Sequence, residues 1–98
     1  MIVGEVVGTV VATRKEERLR GLKFLIVKIV NLDLKPTGQF IVVADAVGAG
    51  FGELVLCAQG SSARLTDKTK ETPVDAVIMG IIDTIELQGE KVFEKYAG

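Results

Sequence analysis

Histidine and tryptophan are absent from this 98-residue chain, and cysteine occurs once, as Cys57. Without histidine, the commonest metal ligand and the side chain best suited to proton transfer near neutral pH are missing. One cysteine permits no internal disulfide and no cysteine metal cluster. Aromatic residues make up 5% of the chain and lie scattered at Phe24, Phe40, Phe51, Phe93 and Tyr96. That is a poor supply for the interleaved stacking platform that a single-stranded nucleic-acid groove needs. An excess of one charge is also lacking: 12 basic residues face 13 acidic ones, for a net charge of −1. Nucleic-acid binders usually carry a clear basic excess. No apolar run reaches the roughly 18 residues of a membrane span. No basic segment precedes an apolar stretch at the N-terminus, so neither a membrane partner nor a signal peptide is expected.

What the chain has in quantity is apolar residues, 48% of the total, with a mean hydropathy of +0.38. A chain of this length is expected to form one domain over residues 1–98 and to bury only about two thirds of its unfolded surface. The apolar surplus therefore calls for cover from outside the domain, and a cytoplasmic oligomer supplies it most simply.

The order of elements reads as all-β. Met1 to Thr13 predicts a strand, with Ile2, Gly4, Val6, Gly8, Val10 and Ala12 on one face; glycines inside a strand mark bends or bulges. Arg14 to Gly21 reads as a charged, solvated loop of mixed sign. Leu22 to Val30 predicts a second strand that is apolar on both faces, although an antiparallel strand with one wet face should alternate. Asn31 to Gly38 carries turn chemistry. Gln39 to Ala44 and Leu54 to Gln59 predict strands three and four. Gly60 to Leu65 suits one short helical turn with Ser61 or Ser62 as its N-cap. Thr66 to Thr72 reads as a polar, mobile loop. Ala76 to Leu87 predicts a fifth strand, again apolar on both faces, and Lys91 to Tyr96 a short sixth. Five strands, one helical turn and bend-forming glycines describe a small OB-like β-barrel.

The stretch between strands three and four draws most attention. Val47, Gly48, Ala49, Gly50, Phe51, Gly52 and Glu53 follow an apolar strand, and three alternating glycines mean that side chains are unwelcome there. A dinucleotide fingerprint requires its third glycine one residue later and a helix beyond it; Glu53 holds that position and a strand follows. A P-loop fails too, since no Gly-Lys-Ser/Thr comes next. A tight turn and close packing against a neighbouring chain remain. Ser61, Ser62 and Arg64 in the next turn are candidates for supporting that contact, Arg64 through an inter-subunit ion pair. Asp45, Glu53, Asp75 and Asp83 adjoin apolar strands, where burial raises a carboxyl pKa, but an Asp at a strand end more often accepts backbone hydrogen bonds. Cys57 sits mid-strand with no histidine to activate it and reads as a buried small hydrophobe. No catalytic residue, cofactor or metal ligand is assigned, and an enzyme is not expected.

Several blocks together resemble one family. They are Asp45-x-Val47-Gly48-Ala49-Gly50-x-Gly52-Glu53-x-Val55-Leu56, Gly60-Ser61-Ser62-Ala63-Arg64, Pro73-Val74-Asp75-Ala76 and Gly80-Ile81-Ile82-Asp83-Thr84, with Gly8 to Thr13 and Leu22 to Val27 before them. In this order they are similar to the EutN/CcmL family of bacterial microcompartment shell proteins, found in carboxysomes and metabolosomes. The resemblance implies an OB-like barrel assembling as a ring, a homopentamer with a hexamer as the alternative. It implies a structural role at the vertices of a polyhedral shell in the bacterial cytoplasm, in contact with hexameric shell proteins. On that view, residues Val47 to Glu53, Ser61, Ser62 and Arg64 lie at a subunit interface or axial pore. The rival reading of the same barrel is a single-stranded nucleic-acid-binding OB-type domain, which the charge balance opposes.

Overall fold

The structure, a computed structural model, describes residues 1–96. Five strands form a closed barrel: β1 (Ile2–Val10), β2 (Phe24–Val30), β3 (Pro36–Asp45), β4 (Leu54–Gln59) and β5 (Ala76–Ile81). Around the barrel they run β1-β2-β3-β5-β4. All neighbours are antiparallel except β3 and β5, which pair in parallel through Ala44–Val77 and Asp45–Ile78. This is the small all-β barrel that the strand pattern predicts.

The fifth strand is shorter than expected. It ends at Ile81, and the chain leaves the barrel through Ile82 and Asp83 to form a separate hairpin of β6 (Thr84–Leu87) and β7 (Glu90–Glu94). The backbone N–H of Ile82 still reaches the Leu54 carbonyl at 2.8 Å, and that of Lys95 reaches the Asp83 carbonyl at 2.8 Å. The hairpin turns at Gln88 (φ 54°) and Gly89 (φ 82°). Two consecutive positive φ values match the right-handed twist of a tight hairpin.

Successive residues on a strand face opposite sides, and the barrel sorts them into two clusters. Val6, Leu25, Val27, Val43, Val55, Cys57 and Ile78 fill the interior. Their strand neighbours Ala44, Ala58 and Val77 face outward and join Ala63 and Val74 in a second cluster, with Leu19, Leu22, Phe24 and Ala46 packed against it. The chain thus covers part of its own outer face. This explains why β5 is apolar on both sides without invoking another subunit there. It also corrects the reading of residues 14–21 as a purely solvated loop. A short 3₁₀ turn at Glu17–Leu19 sends Leu19 down onto the second cluster.

The cap over this cluster is a 3₁₀ turn, Gly60–Arg64, and the segment running on to Val74. Gln59 occupies the N-cap without a side-chain cap bond, so Ser61 and Ser62 do not cap the turn as their sequence suggests. Thr69, expected in a mobile loop, is fully buried. Its hydroxyl donates to the Ala63 carbonyl at 2.6 Å and bonds the Thr66 hydroxyl at 2.5 Å. The Thr72 hydroxyl closes the network on the Thr69 carbonyl. A buried hydroxyl needs such partners, and here they pin the cap to the barrel.

The outer face of β2 and β3 is covered at Phe24 and Ala44 but not, among the described residues, at Phe40 and Val42. Phe40 is 59% exposed and Val42 52% exposed. They stand opposite Lys28 and Ile26 of β2.

Candidate functional site

The glycine stretch is a lid over the barrel mouth. Asp45, buried at the end of β3, turns the chain by accepting the backbone N–H groups of Val47 and Gly48, both at 3.0 Å, on Oδ1. Gly48 (φ 78°) and Gly52 (φ 84°) then adopt left-handed backbone, and a Cβ on either would meet nothing within 4 Å. Their requirement is backbone direction, not space for a neighbour within the chain. Between them Ala49 drops its methyl into the main core, where it is 1% exposed. The loop is therefore plugged into the barrel by its smallest side chain, while Phe51 is left 81% exposed at the surface.

Glu53 ties the loop off. Its Oε1 accepts the Gly50 N–H at 2.6 Å, and its Oε2 accepts the Lys95 ammonium at 2.8 Å. Its backbone carbonyl accepts Val6 N–H at 2.9 Å, while Gly52 N–H donates to the Val6 carbonyl at 2.8 Å. Lid, β1 and the end of the C-terminal hairpin are joined at this residue, the first and last through its carboxylate and β1 through its backbone. The Lys95 ammonium, and then the Gly50 N–H, hold the Glu53 pKa below its ordinary value, and Glu53 holds that of Lys95 above its own. A lowered carboxylate pKa contributes stability that is present above the unfolded value and lost as pH falls through the folded one. The lysine contributes below its unfolded value and loses its contribution as pH rises through the raised one. The tie is therefore expected to hold at neutral pH and to release at the acid and alkaline extremes. In Lys95→Met, the Glu53 carboxyl resonance should titrate at higher pH than in the parent protein; an unmoved titration would show that Lys95 does not hold it.

The Gly60–Arg64 turn stands beside the start of this loop, since Ala46 packs against the cluster that contains Ala63. Ser61 and Ser62 are exposed. Arg64 donates from Nη1 to the Val74 carbonyl at 3.1 Å, so within the chain it clamps the cap. The far end of the loop, at Phe51 to Glu53, lies instead against β1 and β7. The link to Lys95, 42 residues away, has no counterpart in sequence reasoning, and no local pattern signals it.

Chemistry is sparse. Burial pushes the Cys57 thiol up to about 12, the reverse of what a thiolate nucleophile needs. No group of three potential ligands is placed to hold a metal among the described residues. Two of the basic side chains in the β1–β2 connection are already paired, Arg18 with Glu16 at 2.7 Å and Arg20 with Glu17 at 2.6 Å. No helix among the described residues is long and apolar enough to cross a membrane.

A closed five-stranded barrel plugged at Ala49 by a glycine-rich lid defines a class of small all-β barrels. The family described as "Ethanolamine utilisation protein EutN/carboxysome" matches residues 1–83, and the chain belongs to it. It is 42% identical over 95 residues to the carboxysome shell vertex protein CcmL of Gloeobacter violaceus, covering 97% of this chain and 95% of the relative. It is 46% identical over 86 residues to the bacterial microcompartment shell vertex protein GrpN of Rhodospirillum rubrum, covering 88% of this chain and 97% of the relative. Among solved structures, Gloeobacter violaceus CcmL superposes with a TM-score of 0.93 over 97% of this chain and 98% of its own, at 42% identity. The structure titled as the GrpN pentameric microcompartment shell protein from Rhodospirillum rubrum superposes at 0.81, with 46% identity, over 89% of this chain and 98% of its own.

Proposed function

We propose that this chain is a structural shell protein of a bacterial microcompartment, closing into pentamers that cap the vertices of a polyhedral shell in the cytoplasm. The observation that carries the proposal is the end-to-end match, in sequence and fold, to shell vertex proteins, one of them titled pentameric. The partners implied are four further copies of the chain and the hexameric shell proteins that surround a vertex. The apolar face of β2 and β3, left exposed at Phe40 and Val42, supports association, because exposed apolar patches mark interaction sites. The inert Cys57 agrees with a protein that holds a wall together and does no chemistry.

Within this reading, residues Val47, Gly48, Ala49, Gly50, Phe51, Gly52, Glu53, Ser61, Ser62 and Arg64 lie at a subunit interface or axial pore. Light scattering after size exclusion tests the ring directly. The native mass should fall near five times the 10.5 kDa of one chain. A mass near six would keep the shell and change the place of the ring within it, and a clean monomer would sink the proposal.

A further inference from the structure

Two apolar features of the surface stand on different flanks of the barrel. One is the Phe51 ring at the end of the lid, 81% exposed. The other is a groove of about 180 Å³ between β3 and the cap, lined by Leu19, Phe24, Val42, Ala44, Pro73 and Val74, with Asp75 also among its lining residues. We propose that Phe51 of one copy seats in this groove on the next, and that this contact, repeated, closes the ring. The proposal rests on the ring assembly above and names the two patches that build it.

The two features match in scale: the groove is a surface depression of about 180 Å³, and an enclosed apolar cavity of about 150 Å³ takes up benzene. They fit in chemistry, because the groove wall is mainly apolar and Val42 is half exposed where a second chain would cover it. Phe51 also stands on a fixed backbone. The Asp45 turn, the Ala49 plug, the Gly50–Glu53 bond and the ladder to Val6 hold the segment around it. A knob already ordered loses little conformational freedom on docking.

Placement on the barrel decides what kind of contact results. Phe51 stands near β7 and the start of β4, where the lid is bonded to β1. The groove opens on β2 and β3, on another flank of the β1-β2-β3-β5-β4 circle. A contact between two different patches is heterologous, and such contacts make rings when the rotation closes.

Phe51→Ser and Val42→Asp change exposed side chains, so both variants should keep the parent's far-ultraviolet circular dichroism. Each is expected to elute as a single chain of 10.5 kDa where the parent forms a ring. A ring mass from either variant would overturn the contact. A double variant, Phe51→Cys with Val42→Cys, reads the same geometry covalently, because the buried Cys57 thiol takes no part. After mild oxidation, a denaturing gel should show a ladder that stops at the number of chains in the ring, while either single variant stops at two. An intact ring that gives no ladder would also overturn the contact. A parent protein that is itself monomeric would overturn the ring reading, a result distinct from both.

Discussion

Gly4→Val should prevent the barrel from closing under conditions in which the parent chain is folded. A Cβ at position 4 would lie 2.2 Å from Val27 Cγ1 and 2.7 Å from the Lys28 carbonyl oxygen. Val27 is fully buried in the main core, and Lys28 O is backbone, so neither can swing aside. Gly4 is also paired on both sides, to Ile29 of β2 and Val55 of β4. Relief therefore means separating strands at the β1–β2 seam. Overpacking of this kind costs about 1–3 kcal/mol and occasionally more, and here it is expected at or above the upper figure. Urea denaturation followed by circular dichroism measures it. A midpoint within error of the parent's would show that the seam tolerates a side chain.

The second large effect is expected at the plug. Ala49→Asp places a carboxylate among Val6, Leu25, Val55 and Ile78, where Ala49 is 1% exposed. An unpaired charge does not remain in such a site; it neutralises at a cost or drags its segment into water. The lid should lift from the barrel mouth, with a loss of several kcal/mol of unfolding free energy at neutral pH, seen as a lower denaturation midpoint, and partial recovery in acid, where the carboxyl is protonated. With the lid goes the placement of Phe51, so native mass should fall even at protein concentrations where the barrel remains folded. Unchanged mass with a lowered midpoint would separate the lid from assembly. Unchanged values of both would show that the Ala49 methyl is no plug.

Much of this architecture was legible in the strand pattern, and the exceptions have physical causes. Leu54–Gln59 could be read to the residue because a glycine turn bounds it at each end. The break between β5 and β6 could not, since Ile82-Asp83-Thr84-Ile85 continues the apolar alternation without glycine or proline. Pro36-Thr37-Gly38 reads as turn chemistry, yet it opens β3, with Thr37 donating its hydroxyl to the Ile29 carbonyl at 2.9 Å; proline is tolerated as the first residue of a strand. Leu19 was hidden in a charged run. At the candidate site, the glycine stretch announced itself, and Asp45 accepts backbone hydrogen bonds as a strand-end aspartate should. What the pattern could not convey is that Gly48 and Gly52 serve backbone direction while Ala49 does the packing. That distinction depends on which way three consecutive residues point across a barrel mouth.

The parallel pairing of β3 with β5 has a consequence for how the protein comes into being. β5 is the last barrel strand to be synthesised, and it inserts between β3 and β4 to close the circle. Until Ile81 has been made there is no barrel, only four strands with two apolar faces and open edges. Synthesis runs at about 5–20 residues per second, so these strands wait for seconds without their last neighbour. Pairings across long sequence separations also form slowly. Each copy must therefore complete its own circle before it offers a finished groove to another, and a ribosome-bound fragment ending before β5 is the form most prone to pair with the wrong chain.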